Sequence, residues 1–111
     1  MNDIVRYVAE DGSCPFESWL GSLRDTRGKA RVLTRLDRLA LGCFGDVKAL
    51  GDGVSELRID VGPGYRVYFA IVGKQIVLLL YGGDKNRQRE DVAKAKTLFE
   101  EYKRRLARES Q

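Results

Sequence analysis

The chain has 111 residues, with 20 Lys and Arg against 16 Asp and Glu, two cysteines and no histidine; this is one domain, and the missing histidine removes the commonest general base and the commonest metal ligand together. Cys14 and Cys43 are far apart and not in C-x-x-C spacing, which argues against a disulfide framework or a zinc site and for reduced thiols in a cytosolic protein. No basic-then-apolar leader opens the chain, and the longest apolar run, Ile76 to Tyr81, is far too short to span a bilayer.

Ile4 to Ala9 alternates as a short strand, ended by the Glu10-Asp11-Gly12-Ser13 cluster. Cys14 to Leu23 is predicted to be a short helix, with Ser13 as its N-cap, Pro15 in its first turn, and Phe16, Trp19, Leu20 and Leu23 facing the core. Its place on that stripe makes Trp19 a core anchor rather than a base-stacking ring. A second helix starts at Asp25 or Thr26 and runs to about Leu41, where Gly42 stops it. Val32, Leu33, Leu36, Leu39 and Ala40 form its apolar stripe, and Arg27, Arg31, Arg35 and Arg38 form one row on its outer face. Such a row can track phosphates or be a plain solvated face. Gly42 to Gly53 is a loop or short edge strand; Val47 to Leu50 is its strand-like part and includes Lys48.

Val54 to Asp84 reads as three strands joined at Gly62-Pro63-Gly64 and Gly73-Lys74. Setting Val61 opposite Tyr65 puts Asp60 against Arg66 and Arg58 against Tyr68. Setting Val72 opposite Gln75 puts Arg66 against Tyr81, Tyr68 against Leu79 and Phe69 against Leu78. One face then carries Leu57, Ile59, Val67, Phe69, Ile71, Ile76, Leu78 and Leu80, a core face. The other carries Glu56, Arg58, Asp60, Arg66, Tyr68, Leu79 and Tyr81. Arginines and tyrosines on stiff strands are well placed for binding or chemistry; the same pattern also fits a solvated face with pairs such as Asp60 and Arg66. After a turn-rich exit over Gly82 to Arg87, a last helix runs from about Gln88 to Leu106 on the stripe Val92, Ala95, Phe99, Tyr102, Leu106, and the basic tail Arg104, Arg105, Arg108 is expected to fray.

Strand, helix, helix, strands, helix in that order predicts a single α+β domain: a mostly antiparallel twisted sheet, two N-terminal helices and one C-terminal helix, with the helices on one face. The positive charge is uneven, with seven basic and three acidic residues over 22–48 and nine and five over 85–111. A balance of this kind suits an acidic partner, nucleic acid being the usual case, and also suits mere solubility.

The segment ELRIDVGPGYRVYFAIVGKQIVLLLYGGDKNRQREDVAKAKTLFEEY, with the strand, the PFESWL helix and the arginine-bearing helix before it, resembles the phage-derived addiction-module killer proteins. These belong to the RelE/ParE toxin superfamily, close to its HigB branch. The resemblance covers essentially the whole chain, and LRIDVGPGYRVYF and GGDKNRQREDVAKA are its most specific parts. It implies a small RelE-like domain, the cytoplasmic toxin of a type II toxin–antitoxin module. In the RelE and HigB branches that toxin enters the ribosomal A site and cuts messenger RNA there, without metal or cofactor. A cognate antitoxin, typically a helix-turn-helix protein, blocks it and represses the operon through operator DNA. The superfamily also contains ParE-type inhibitors of DNA gyrase, and a member that has lost catalysis would be an antitoxin-binding module only.

Carried across residue by residue, the resemblance puts the family arginine of the GYR motif on Arg66, the basic residue of the preceding strand on Arg58, and the basic pair after the last strand on Lys85 and Arg87. Tyr68 and Tyr81 are the candidate aromatic positions, although related toxins often place theirs in the C-terminal segment. HigB-type members often use histidines, and this chain has none. The implied reaction is attack of a 2′-hydroxyl on the adjacent phosphate. Arg58 and Arg66 suit charge stabilisation of the phosphorane, because a guanidinium is a planar multi-donor partner for phosphate oxygens. Tyr68 or Tyr81 can stack on a base or bond the phosphate, Lys85 or Arg87 can serve the leaving oxygen, and Arg27, Arg31, Arg35, Arg38 and Lys48 are candidate RNA contacts. The base is open among Lys85, Lys48 and Asp60; a lysine would have to fall from ~10.4 towards ~7 to serve.

Overall fold

A computed structural model describes residues 1–110. The elements are β1 (Asp3–Arg6), α1 (Pro15–Ser22), α2 (Thr26–Ala40), β2 (Val47–Gly51), β3 (Val54–Ile59), β4 (Tyr65–Val72), β5 (Ile76–Asp84), a 3-10 turn (Lys85–Arg87) and α3 (Gln88–Glu109). The strands form one sheet in the order β1-β5-β4-β3-β2, antiparallel except for the parallel β1–β5 pair. This is the expected α+β domain with two N-terminal helices and one C-terminal helix. Among the described residues no helix is long and apolar enough to cross a membrane.

The helices do not share one face. Phe16 and Leu20 of α1 and Val32, Leu36 and Leu39 of α2 pack on Leu57, Ile59, Val67, Phe69, Val77 and Leu79. On the opposite face Ala95, Leu98 and Phe99 of α3 pack on Val54, Tyr68, Ala70, Leu78 and Leu80. The unbroken run Val77 to Leu80 is the signature of a strand covered on both sides, where alternation has no solvent face to mark. Each wholly buried Leu, Val or Phe here contributes about 1.5–3 kcal/mol of transfer free energy, so two apolar layers on one sheet outweigh any single polar contact described below.

Two registers also differ from expectation. Across β3 and β4, Arg58 lies opposite Arg66 and Glu56 opposite Tyr68. The shift is two residues, because pairing stops at Ile59 opposite Tyr65 and the connection takes in Asp60 and Val61 as well as Gly-Pro-Gly, with Val61 N–H donating to the Ile59 carbonyl and Gly64 N–H to that of Val61. A two-residue shift preserves the faces of β4. Across β4 and β5, Val72 lies opposite Ile76, so Gly73, Lys74 and Gln75 form the loop. That extra residue reverses the faces of β5: Leu79 lies in the α1/α2 core, and Leu78 and Leu80 lie under α3. An irregularity between the Phe69–Leu79 and Tyr68–Tyr81 pairs then brings Tyr81 onto the α3 face as well.

The helix ends follow local chemistry. Cys14, not Ser13, is the N-cap of α1, since the Ser13 hydroxyl donates to Asp11 Oδ1; Pro15 opens the helix. Asp25 caps α2, its carboxylate accepting from Gly28 N–H at 3.0 Å. The C-terminal tail does not fray: Arg105 Nη1 donates to the Val8 carbonyl at 2.7 Å, Arg108 pairs with Glu10, and α3 continues to Glu109.

The Asp25 carboxylate also accepts from the Tyr65 hydroxyl at 2.8 Å, tying the start of α2 to β4. The Gly28 N–H first, then the Tyr65 hydroxyl, hold this carboxyl below its usual 3.8, and burial with the Asp25 partner pushes the Tyr65 hydroxyl up to about 12. Asp25 therefore contributes stability above pH 3.8 that is lost as pH falls through the lower folded value. Tyr65 contributes stability below pH 10.0 that is lost between there and about 12. In thermal melts, Asp25→Ala is expected to lower Tm at neutral pH, with the gap from wild type closing in strong acid. A gap of equal size at every pH would show that the carboxylate's charge plays no part.

Candidate functional site

The candidate site is built on the α3 face of the sheet, where the strand pairing lines up two cross-strand rows. Lys48, Glu56, Tyr68 and Tyr81 form one, and Arg58, Arg66 and Gly83 form the next. Alternation along β3 and β4 places all of these side chains on one side. Two arginines directly opposite one another repel. The counter-charge is Glu56, two residues before Arg58 on the same strand face.

Glu56 is the residue that the sequence reading placed on this face without giving it a role. It is fully buried, and its carboxylate accepts from Arg58 Nε at 3.2 Å and from Gln88 Nε2 at 2.8 and 3.2 Å, with Arg66 Nε at 3.9 Å. A buried carboxylate is tolerated only when paired and hydrogen-bonded, and this one is both. Gln88 opens α3, so the bond fixes the start of that helix to the sheet. The signal for Glu56 was its spacing: a carboxylate at i−2 to one arginine, on the face of a second.

Arg66 is almost fully buried, its Nη1 donating to the Tyr65 carbonyl at 3.1 Å and lying 3.7 Å from Asp60 Oδ1. The Asp60–Arg66 pair is therefore present, although as a diagonal contact rather than a cross-strand one. Arg58 is about one-third exposed, and only its Nε is hydrogen-bonded among the described residues. The Lys85–Arg87 turn leaves the end of β5 beside Arg66. Lys85 N–H donates to the Gly64 carbonyl, its aliphatic stem lies over Gly64, and exposed Arg87 pairs with Glu90 at 3.3 Å. Lys48 is exposed on the edge strand and Tyr81 is half-buried.

Tyr68 departs from its expected role. Its side chain is wholly buried beneath α3, so its ring is not presented to a base, and its hydroxyl has no hydrogen-bond partner among the described residues. Burial first, then the charges of Asp91 and Glu56, push that hydroxyl well above its ordinary 10.0, which makes it a weaker acid than a free tyrosine. Asp91, in the first turn of α3, is buried against Gly83, and desolvation raises its carboxyl above 3.8. Leaving a buried hydroxyl unpaired costs about 1–3 kcal/mol. Tyr68→Phe is accordingly expected to raise unfolding free energy by about 1 kcal/mol in urea melts. A loss of stability instead would reveal a partner for the hydroxyl.

The arginine row of α2 lies elsewhere. That helix packs on the opposite sheet face, and Arg27, Arg31 and Arg38 flank the Asp60-Val61-Gly62 turn. Arg35 is not a free member of the row: its Nη1 donates to the Arg58 carbonyl at 2.7 Å and its Nη2 to the Phe44 carbonyl at 3.2 Å. The structure thus brings Arg58 and Arg66 together at the end of the sheet from which Lys85 and Arg87 leave, with Lys48 and Tyr81 on either side in the adjoining row, and sets Arg27, Arg31 and Arg38 on the opposite face at the same end, about the turn whose Asp60 lies 3.7 Å from Arg66.

No family model matches the chain. It is 49% identical over 86 residues to an uncharacterized protein of Haemophilus influenzae, a match spanning 78% of this chain and 87% of that protein. At that identity and coverage, the chain belongs to the same family as the Haemophilus influenzae protein.

Proposed function

We propose that this protein is the toxin of a type II toxin–antitoxin module of the RelE/ParE kind, a ribosome-dependent messenger-RNA endonuclease held in check by a cognate antitoxin. The observation that carries the reading is the opposed pair Arg58 and Arg66, the first hydrogen-bonded to a buried carboxylate and the second 3.9 Å from it, at the end of the sheet where Lys85 and Arg87 emerge. Guanidinium groups fixed on strands suit a developing phosphorane, because donors already oriented need no reorganisation during reaction. In the reaction proposed, an RNA 2′-oxygen bonds to the adjacent phosphorus while the bond to the 5′-oxygen breaks. The ribosome would supply the alignment that this chain, without histidine, supplies poorly.

A second reading is a ParE-like inhibitor of DNA gyrase, acting by binding alone. One observation favours it: Glu56 is committed to ion pairs and Tyr68 is buried, so two acid–base groups of the cluster are sequestered. Inducing the chain alone in a bacterium separates the readings. Cuts at in-frame codons that require ongoing translation are expected. Intact messages with arrested replication would transfer the assignment to gyrase, and unaffected growth would leave an antitoxin-binding module without toxicity.

A further inference from the structure

Arg58 is partly exposed and is held from its inner side. Its inner nitrogen, Nε, is bonded to a carboxylate that is itself wholly buried, and Nη1 and Nη2 have no partner among the described residues. A carboxylate forked across the two terminal nitrogens would occupy the edge that a phosphate needs. Here the buried side of the guanidinium is anchored and the outer edge is left open. The anchor is fixed in turn, since Glu56 accepts two contacts from Gln88 of α3 and sits 3.9 Å from Arg66 Nε.

We propose that Glu56 is a positioning residue for an anion site: it fixes Arg58 through Nε so that the Nη1–Nη2 edge meets a phosphate of single-stranded RNA, and Gln88 locks that orientation to α3. The inference rests on the nucleic-acid reading above and adds the residue on which the geometry depends. It makes a counter-intuitive demand. Glu56 is a negative charge beside two arginines, so by net charge alone its removal strengthens binding to a polyanion. A positioning role requires the opposite sign, because a guanidinium freed of its anchor must be ordered again on each binding event.

The test uses the full chain and a short labelled RNA oligonucleotide at fixed salt, with Glu56→Gln, which keeps the side-chain shape and removes the charge. Affinity is expected to fall about tenfold, the loss of one charge-assisted contact, and the Arg58 Nε–H resonance, slow to exchange in wild type, should exchange rapidly in the variant. Should Glu56→Gln fail to fold, Gln88→Ala at the half-exposed start of α3 takes its place, with an expected loss of about threefold, a fraction of that contact. Equal or tighter RNA binding by a folded variant overturns the proposal, even where wild type arrests translation. Weaker binding by the variant, with a wild type that leaves translation intact, supports it while removing the ribosomal reading. A wild type that binds no RNA overturns the proposal and leaves the ribosomal reading to the induction experiment above.

Discussion

Gly82→Ala is expected to destabilise the protein by about 3 kcal/mol, at the upper end for overpacking a filled core, and to lower Tm by roughly 10 °C or more. Gly82 lies in β5 with its absent side chain aimed at the face of Trp19. A Cβ there would overlap Cε3 and stand 2.5 Å from Cδ2 and Cζ3. A flexible chain end could retreat, but an indole cannot bend, and this one is held between Phe16 and Tyr65, with ring centroids at 5.8 and 6.2 Å. Either α1 lifts from the sheet or β5 shifts, and both open the core of α1 and α2. The same substitution at Gly21, on the exposed side of α1 where nothing lies within 4 Å, should instead be neutral or add up to about 1 kcal/mol. Chemical denaturation of the two variants side by side checks this. A Gly82→Ala protein within 0.5 kcal/mol of wild type, on the order of a surface change, would mean that Trp19 does not sit where described.

If the protein is the ribosome-dependent nuclease proposed, Arg58→Ala is expected to abolish growth inhibition, with translation-dependent message cleavage reduced on the order of 10²–10³-fold, the usual cost of one oriented donor to a developing oxyanion. The fold should survive, because Arg58 is partly exposed and its loss leaves Glu56 with Gln88 and the nearby Arg66. The expected stability loss is no more than about 2 kcal/mol. Arg66→Ala is a poorer test: Arg66 is buried, so its removal leaves Glu56 short of charge compensation and confuses unfolding with inactivity. Full toxicity in a folded Arg58→Ala protein would dissolve the site assignment. Wild-type stability with lost toxicity and retained antitoxin binding would separate the arginine's chemistry from its packing.

The hairpin of β3 and β4 was readable because Leu57-Arg58-Ile59 and Tyr65-Arg66-Val67 alternate on either side of the Gly-Pro-Gly turn, and a register error of two residues left Arg58, Arg66 and Tyr68 on one shared face. Across β4 and β5 the same reasoning failed. One residue in a loop decides the parity of a whole strand, and the contiguous apolar run gives no alternation to check it against. The same run concealed the second core, so a face read as solvated is covered by α3. Arg35 looked equivalent to its row by periodicity, but its free nitrogens reach two backbone carbonyls that only the folded chain brings near. Tyr68 was chosen for its face, and burial, which depends on where α3 lands, decided otherwise. The start of α2 at Asp25 or Thr26 and the stop at Gly42 came out as read, since both depend on neighbours a few residues away.

The parallel pairing of β1 with β5 has a bearing on how the chain is made. It joins residue 3 to residue 76, so β1 finds its partner only after all the residues between them have left the ribosome. Closing so long a loop costs entropy that the local pairings of β3, β4 and β5 do not incur, which places β1 docking late among folding events. The contacts of Gln88 with Glu56 come later still in synthesis, and Arg105 and Arg108 at the far end secure the segment just after β1. A nascent chain therefore has no assembled Arg58–Glu56–Gln88 cluster until α3 has emerged, and whatever that cluster binds can be engaged only after the sheet and α3 have met.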